Sequence, residues 1–202
     1  MFESLLSKKF RWPQKGDRLL KPEADWNKSA SLSNDPITRH VLQWDGSMRA
    51  GAVLVDHCVN NPSDRHQLIY AIFSNYRHGL EMAMKWVLER YGRHAALAEY
   101  EKNHNLWQLW MSCKEVILAL SSNDKTIDIV QRVVKEFHDL DPTAEAFRYP
   151  QRKTGAPIPF PSLDVDLQNV KDVMEGVNNF FGGLDGELDA NVGAMTDFSD
   201  EY

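Results

Sequence analysis

The longest stretch of unbroken helical patterning runs from Asp64 to Tyr91. Leu68, Ile69, Ile72, Phe73, Tyr76, Leu80, Met84, Val87, Leu88 and Tyr91 recur in steps of one, three and four, the pattern of one buried helix face. Pro62 cannot lie inside a helix, and Asp64 precedes Gln67 by the spacing of a capping box, so the start is predicted at Asp64. Before it, Ser47 to Val59 carries apolar residues beside Ala50, Gly51 and Ala52, which predicts a helix packed closely on a neighbour and ended at Asn60, Asn61 and Pro62. After it, Leu106, Leu109, Trp110, Cys113, Val116, Ile117 and Leu120 keep helical spacing, with Asn103 or Asn105 as cap. Ile127, Val130, Val133, Val134, Phe137 and Leu140 form the next face; their β-branched content permits a strand, but length and spacing favour helix.

Asp141 to Pro161 contains Pro142, Pro150, Pro157, Pro159 and Pro161, which excludes a continuous helix or a central strand. A loop of about 20 residues within a domain usually covers something or carries function. The last predicted helix buries Val165, Leu167, Val170, Val173, Met174, Val177, Phe180 and Phe181, with Ser162 or Asp164 as cap and Gly182 and Gly183 as its end. The expected fold is all-α, an antiparallel bundle of four to five helices with one long proline-rich loop before the last helix. Flanking this bundle (45–184) we expect a poorly ordered basic arm (1–44) and an acidic disordered tail (185–202). Within the arm a short helix is expected near Phe2 to Phe10, and Trp12, Trp26 and Trp44 lie among Pro, Lys, Ser and Asn.

Composition narrows the classes. The chain has 202 residues, 43% hydrophobic and 10% aromatic, enough for one substantial core. A formal charge of −6 argues against a whole-surface grip on nucleic acid and leaves room for a local basic site. Cys58 and Cys113 match no ligand spacing, which suits a reduced, cytoplasmic setting. No segment reaches the roughly 18 apolar residues of a membrane span, so no membrane association is expected. The phosphate-loop, dinucleotide and nucleophile-elbow motifs are missing, and so are the usual metal-ligand spacings. No cofactor and no metal are therefore expected.

Three groups of residues are candidates for chemistry. Arg77, Glu81 and Lys85 fall at i, i+4 and i+8 on the central helix, with Tyr76 and His78 beside them. As a site, Arg77 and Lys85 hold a phosphate while Glu81 orients His78 as a proton carrier. As a structural tie, Glu81 neutralises Arg77 or Lys85 inside the bundle. His104, Trp107 and Trp110 share a helix face and offer either base stacking or core packing. Arg148 and Tyr149 lie in the proline-rich loop, where Arg148 either reaches back to Glu81 or a phosphate, or pairs with Asp141 or Glu145.

The segments AGAVLVDH, FSNYRHGLEMAMKWVL, NHNLWQLW and FHDLDPTAEAFRYP together resemble helical bacterial proteins of the HEPN superfamily, the higher eukaryotes and prokaryotes nucleotide-binding domain. The resemblance spans roughly Gln43 to Phe181. It implies a helical bundle that forms homodimers and binds RNA or nucleotides in defence or regulatory systems. A subset of the superfamily are metal-independent ribonucleases marked by an Arg and a following His with four to six residues between them. Arg132 and His138 are the one pair at that distance here, and chance supplies roughly one such pair in a chain with seven histidines. The expected function is thus a non-catalytic binding protein for RNA, a nucleotide or a protein partner. The alternatives are a metal-independent ribonuclease and an adaptor that recruits protein partners through its basic arm and acidic tail.

Overall fold

A computed structural model of the chain describes residues 11–97, 99–121 and 125–200, with side chains through 196. The short helix expected near Phe2 to Phe10 lies outside the described residues. Within them are five α-helices: α1 Pro36–Asn60, α2 Arg65–Tyr91, α3 Leu106–Leu120, α4 Thr126–Leu140 and α5 Leu167–Asp200. The architecture is the expected all-α bundle. No helix among the described residues is long and apolar enough to cross a membrane.

Residues up to Asn34 and those from Asp35 onward form separate units. Among the described residues of the first, 11–34, is a 3-10 turn Trp26–Lys28 in which the Asp25 carboxylate accepts from the Asn27 N–H. In the second, α1 begins well before Ser47, so part of the expected arm is helix. Asp35 caps it, its carboxylate accepting from the Thr38 N–H at 2.6 Å, and Pro36 occupies the first helical turn. This is the ordinary start of a helix, Asp followed by Pro, where the missing proline N–H costs nothing. Trp44 is consequently a core residue rather than an arm residue. It continues into Met48, Gly51, Val55 and Cys58 as one buried stripe, and its indole N–H donates to Asn178 Oδ1 at 2.9 Å.

α1 and α2 pack along their lengths and are joined only through the short turn Pro62–Asp64, which makes them an antiparallel hairpin. Gly51 permits their close approach. A Cβ there would lie 2.7 Å from the Tyr76 ring. The expected capping box at Asp64 is absent, because the Asp64 carboxylate instead meets His57 Nε2 at 2.7 Å and makes no cap bond. α3 packs on α2 and α4 on α3. Asn105 does cap α3, accepting from the Gln108 N–H.

α5 lies across α1, α2 and α3. It starts later than expected, with the Asp166 carboxylate accepting from the Asn169 N–H in place of a Ser162 or Asp164 cap. It also ends later, running through Gly182 and Gly183 to Asp200. The acidic tail is helix because its apolar stripe goes on: Leu184 and Leu188 are buried after Phe181. Its acids find donors on the bundle. Asp185 accepts from the Trp86 N–H at 2.7 Å and the Tyr91 hydroxyl at 2.6 Å, and Asp189 pairs with Arg90.

The segment between α4 and α5 is the expected proline-rich loop. Its tip is a turn closed by a single antiparallel bridge between Gln151 and Pro157, with Gly155 at φ +81° supplying the left-handed residue.

Candidate functional site

The helical period places Arg77, Glu81 and Lys85 on one face of α2, and that face is turned toward two chain reversals. One is the entry to α3 at His104, the other the exit of α4 at Asp141. Arg77 ties all three together. Its Nη1 donates to Glu81 Oε2 at 3.2 Å, and its Nη2 to the carbonyls of His104 at 2.7 Å and Asp141 at 3.3 Å. Nε sits 3.3 Å from Asp141 Oδ2, an ion-pair contact whose angle is too poor for a hydrogen bond. The side chains of Arg77, Glu81 and Asp141 are only 6%, 4% and 1% exposed. Desolvation pulls the Arg77 pKa below its ordinary value, opposed by the charges of Asp141 and Glu81. For Arg77 the structural-tie alternative therefore describes the geometry.

Glu81 gathers more donors than one tie requires. Its Oε1 accepts from Lys85 Nζ at 2.7 Å and lies 2.7 Å from His104 Nδ1. Burial, the largest single influence, pushes the Glu81 carboxyl upward, but the bonds and charges of Lys85 and His104 together hold it below the usual value. An ionised carboxylate only accepts, so His104 Nδ1 must carry a proton. Nε2 is then left as the free nitrogen, on a side chain that is 70% exposed. Glu81 thus orients His104, where the sequence suggested His78. This is the arrangement in which a carboxylate fixes an imidazole tautomer and its orientation.

His78 is exposed beside this pair. Its pKa is lowered by desolvation of the imidazolium, opposed by Glu81 and reinforced by Lys85, His104 and Arg148. Arg148 lines the same space from the proline-rich loop. It pairs with none of the carboxylates suggested for it. Instead Nε donates to the Ala144 carbonyl at 2.8 Å, as does Nη2. Ala144 holds a left-handed φ of 62°, at a cost of about 1 kcal/mol for a residue with a Cβ. The turn is fixed by Asp141 Oδ1, which accepts from the N–H groups of Glu145 at 2.8 Å and Ala146 at 3.0 Å. Among the described residues no carboxylate comes within ion-pair distance of Arg148.

These groups converge. Arg77, His78, Glu81, His104, Asp141 and Arg148 line one open cleft of about 270 Å³. Lys85 stands behind Glu81, and Tyr149 lies outside, its ring 5.5 Å from the Arg148 guanidinium and exposed.

Other sequence candidates fall elsewhere. Tyr76 faces away from the ladder, since adjacent helical residues point about 100° apart. Its hydroxyl is buried without a partner beside a different cleft lined by Arg49, Lys171 and Glu175. Its pKa is pushed up to about 12 by burial, with Asp56, Glu175 and Asp172 adding to the shift. Trp110 is fully buried and donates to Gln131, whereas Trp107 is half-buried with the Lys135 ammonium 5.8 Å from its ring. Neither belongs to the His104 cleft. Arg132 is exposed and His138 half-buried with Nδ1 enclosed; six residues apart, they point about 120° apart around α4. Among the described residues no three His, Cys, Asp or Glu side chains come together as a metal site.

No family model matches the chain, and neither a curated protein nor a solved structure does. The chemistry of the cleft is accordingly the basis for any functional reading. Asp141 is the component that sequence reasoning undervalued, naming it only as a partner for Arg148. Its signal was the Asp141–Pro142 step directly after a helical face, a boundary where the last carbonyls of α4 need partners.

Proposed function

We propose that the protein is a HEPN-like binding protein that takes a phosphate-bearing ligand, RNA or nucleotide, in the cleft between α2, the α3 entry and the proline-rich loop. The observation that carries this is the condition of Arg148. Among the described residues it is a guanidinium with no carboxylate partner, and it faces an open cleft that also presents His78 and Nε2 of His104. Arg77 and Lys85 are already committed to Glu81 and Asp141, so they set the positive background while Arg148 is free for a bidentate phosphate contact. Fluorescently labelled single-stranded RNA and nucleoside triphosphates, titrated against the wild type and Arg148→Ala, test the reading. Binding that falls tenfold or more in the variant is expected; equal or absent binding in both refutes it.

A second reading has its own support in the carboxylate bonded to His104 Nδ1, which leaves Nε2 suited to accept a proton. On this reading the protein is a metal-independent ribonuclease in which His104, rather than Arg132 and His138, removes the proton from the attacking hydroxyl. Cleavage would persist in EDTA, survive His138→Ala and vanish in His104→Ala. The resemblance that motivates both readings also implies a homodimer in a bacterial defence or regulatory system, and the two unpaired cysteines suit a cytoplasmic setting.

A further inference from the structure

The polar cleft is not isolated. Arg148 and Phe147 also line a second, largely aromatic cleft of about 500 Å³ on the far side of the Arg148 side chain. Tyr70 from α2 and Tyr149 and Phe160 from the proline-rich loop form its walls. Tyr70 and Tyr149 are 51% and 54% exposed, so their ring faces are accessible. Tyr70 stands on a fixed foundation, and the Tyr149 ring carries the Arg148 guanidinium at 5.5 Å. Tyr70 meets Phe160 edge-on at 6.0 Å, Phe160 meets Phe147 at 5.3 Å, and Phe147 stacks on Phe73 of the core at 5.3 Å. Rings held this way lose little freedom when a flat ligand stacks on them.

Charge points the same way. From Arg148 to Leu163 the loop carries Arg148, Arg152 and Lys153 and no acid, in a chain whose overall charge is −6. Aromatic faces interleaved with cations are the composition of a single-strand binding surface, where bases stack and phosphates follow the positive groups. An apolar peptide would use the rings and leave Arg148 without a role.

We infer that the aromatic cleft takes a nucleobase, so that the two clefts joined at Arg148 form one site for single-stranded RNA, base against Tyr70 and Tyr149 and phosphate at Arg148. The inference rests on the phosphate-binding reading above and adds the substrate class. Duplex RNA is excluded from such a site because its bases are already stacked in the helix.

The test is fluorescence anisotropy with a labelled single-stranded oligoadenylate and with the same strand annealed to its complement. Four variants are compared with the wild type: Tyr149→Ala, Tyr149→Phe, Tyr70→Ala and Arg148→Ala. All three positions are on the surface, and thermal melts confirm that the variants fold. Each tyrosine-to-alanine change is expected to weaken single-strand binding by roughly 5- to 150-fold, the range for loss of one stacked base. Tyr149→Phe keeps the ring and should bind like the wild type. Loss in Arg148→Ala with none in Tyr70→Ala or Tyr149→Ala overturns the base subsite and leaves the phosphate reading standing. Failure of the wild type to bind the strand overturns the base subsite and the RNA branch of the phosphate reading, and tighter binding of the duplex overturns the single-strand assignment. Self-association in sedimentation that disappears in Tyr70→Ala would give this face to a second copy of the chain and overturn the proposal likewise.

Discussion

Replacing Arg77 by Met tests whether the ladder on α2 holds the bundle together. The change keeps an unbranched apolar stem and removes the guanidinium with its charge. Glu81 and Asp141 then remain buried without their principal cation, and the carbonyls of His104 and Asp141 lose their donor. Breaking a buried ion pair from one side costs about 3–5 kcal/mol. Two features pull toward the lower end: Glu81 keeps Lys85 and His104, and Asp141 keeps the N–H groups of Glu145 and Ala146. The two abandoned carbonyls pull back, at about 1–3 kcal/mol for each that stays dry. The expected loss is therefore about 3–5 kcal/mol, or a fall in Tm of about 6–20 °C for a protein of this size.

Urea denaturation followed by tryptophan fluorescence measures the loss, and its pH dependence identifies the cause. The folded-state pKa of Glu81 is depressed, so its contribution is present above the unfolded value near 4.5 and disappears as pH falls through the folded one. Without Arg77 that depression shrinks. The gap between wild type and variant should narrow in acid, where Glu81 takes up a proton. Arg148→Met, whose guanidinium bonds only a carbonyl at the surface, should lose no more than about 1 kcal/mol. A loss below about 1 kcal/mol for Arg77→Met, or a gap that stays constant into acid, would show that Arg77 is not the tie described here.

Two further outcomes are expected. The pKa of His78 lies below 6.5 because its imidazolium is desolvated, so the neutral ring is favoured in the fold and stability declines as pH drops from 6.5 toward the folded value. A bound phosphate should raise that pKa; an NMR titration of His78 that is unmoved by saturating RNA or nucleotide would count against phosphate at the cleft. Gly182→Ala and Gly183→Ala lie in open space on α5, so each should add about 0.5–1 kcal/mol of stability. A neutral result by thermal denaturation would mean that this part of α5 is not helical.

Periodicity made α2, α3 and α4 legible because each buries a long apolar stripe with few interruptions. It failed at both ends of the bundle for different reasons. Before Ser47 the stripe is thin, and the decisive signal was local: Asp35 followed by Pro36. After Phe181 two glycines looked like a stop, yet Leu184 and Leu188 continue at the interval that stays on one face. Glycine in open space costs a helix only about 1 kcal/mol each, which buried leucines and the Asp185 bonds to Trp86 and Tyr91 exceed. The site was partly legible for a similar reason. Arg77, Glu81 and Lys85 are local partners on one helix, whereas the meeting of Glu81 with His104, and of Arg77 with Asp141, joins residues far apart in sequence.

That long-range meeting also dissolves the choice between tie and site. A buried carboxylate needs cations, and Glu81 has two in Arg77 and Lys85. The same oxygen that receives Lys85 also receives His104 Nδ1, so the network that closes the bundle fixes the tautomer of a solvent-facing imidazole. Arg77 spends its donors inward, on Glu81 and on the backbone of two chain reversals. Arg148 sits on the turn that Asp141 shapes and keeps its charge for the cleft. The buried residues thus act on a ligand only through the exposed ones. Glu81→Gln should therefore change the tautomer of His104 as well as stability, because an amide can donate to Nδ1 and permit the other tautomer. If the His104 ring in Glu81→Gln, followed by 15N NMR, keeps the tautomer of the wild type, the carboxylate does not govern the imidazole and the cleft loses its link to the core.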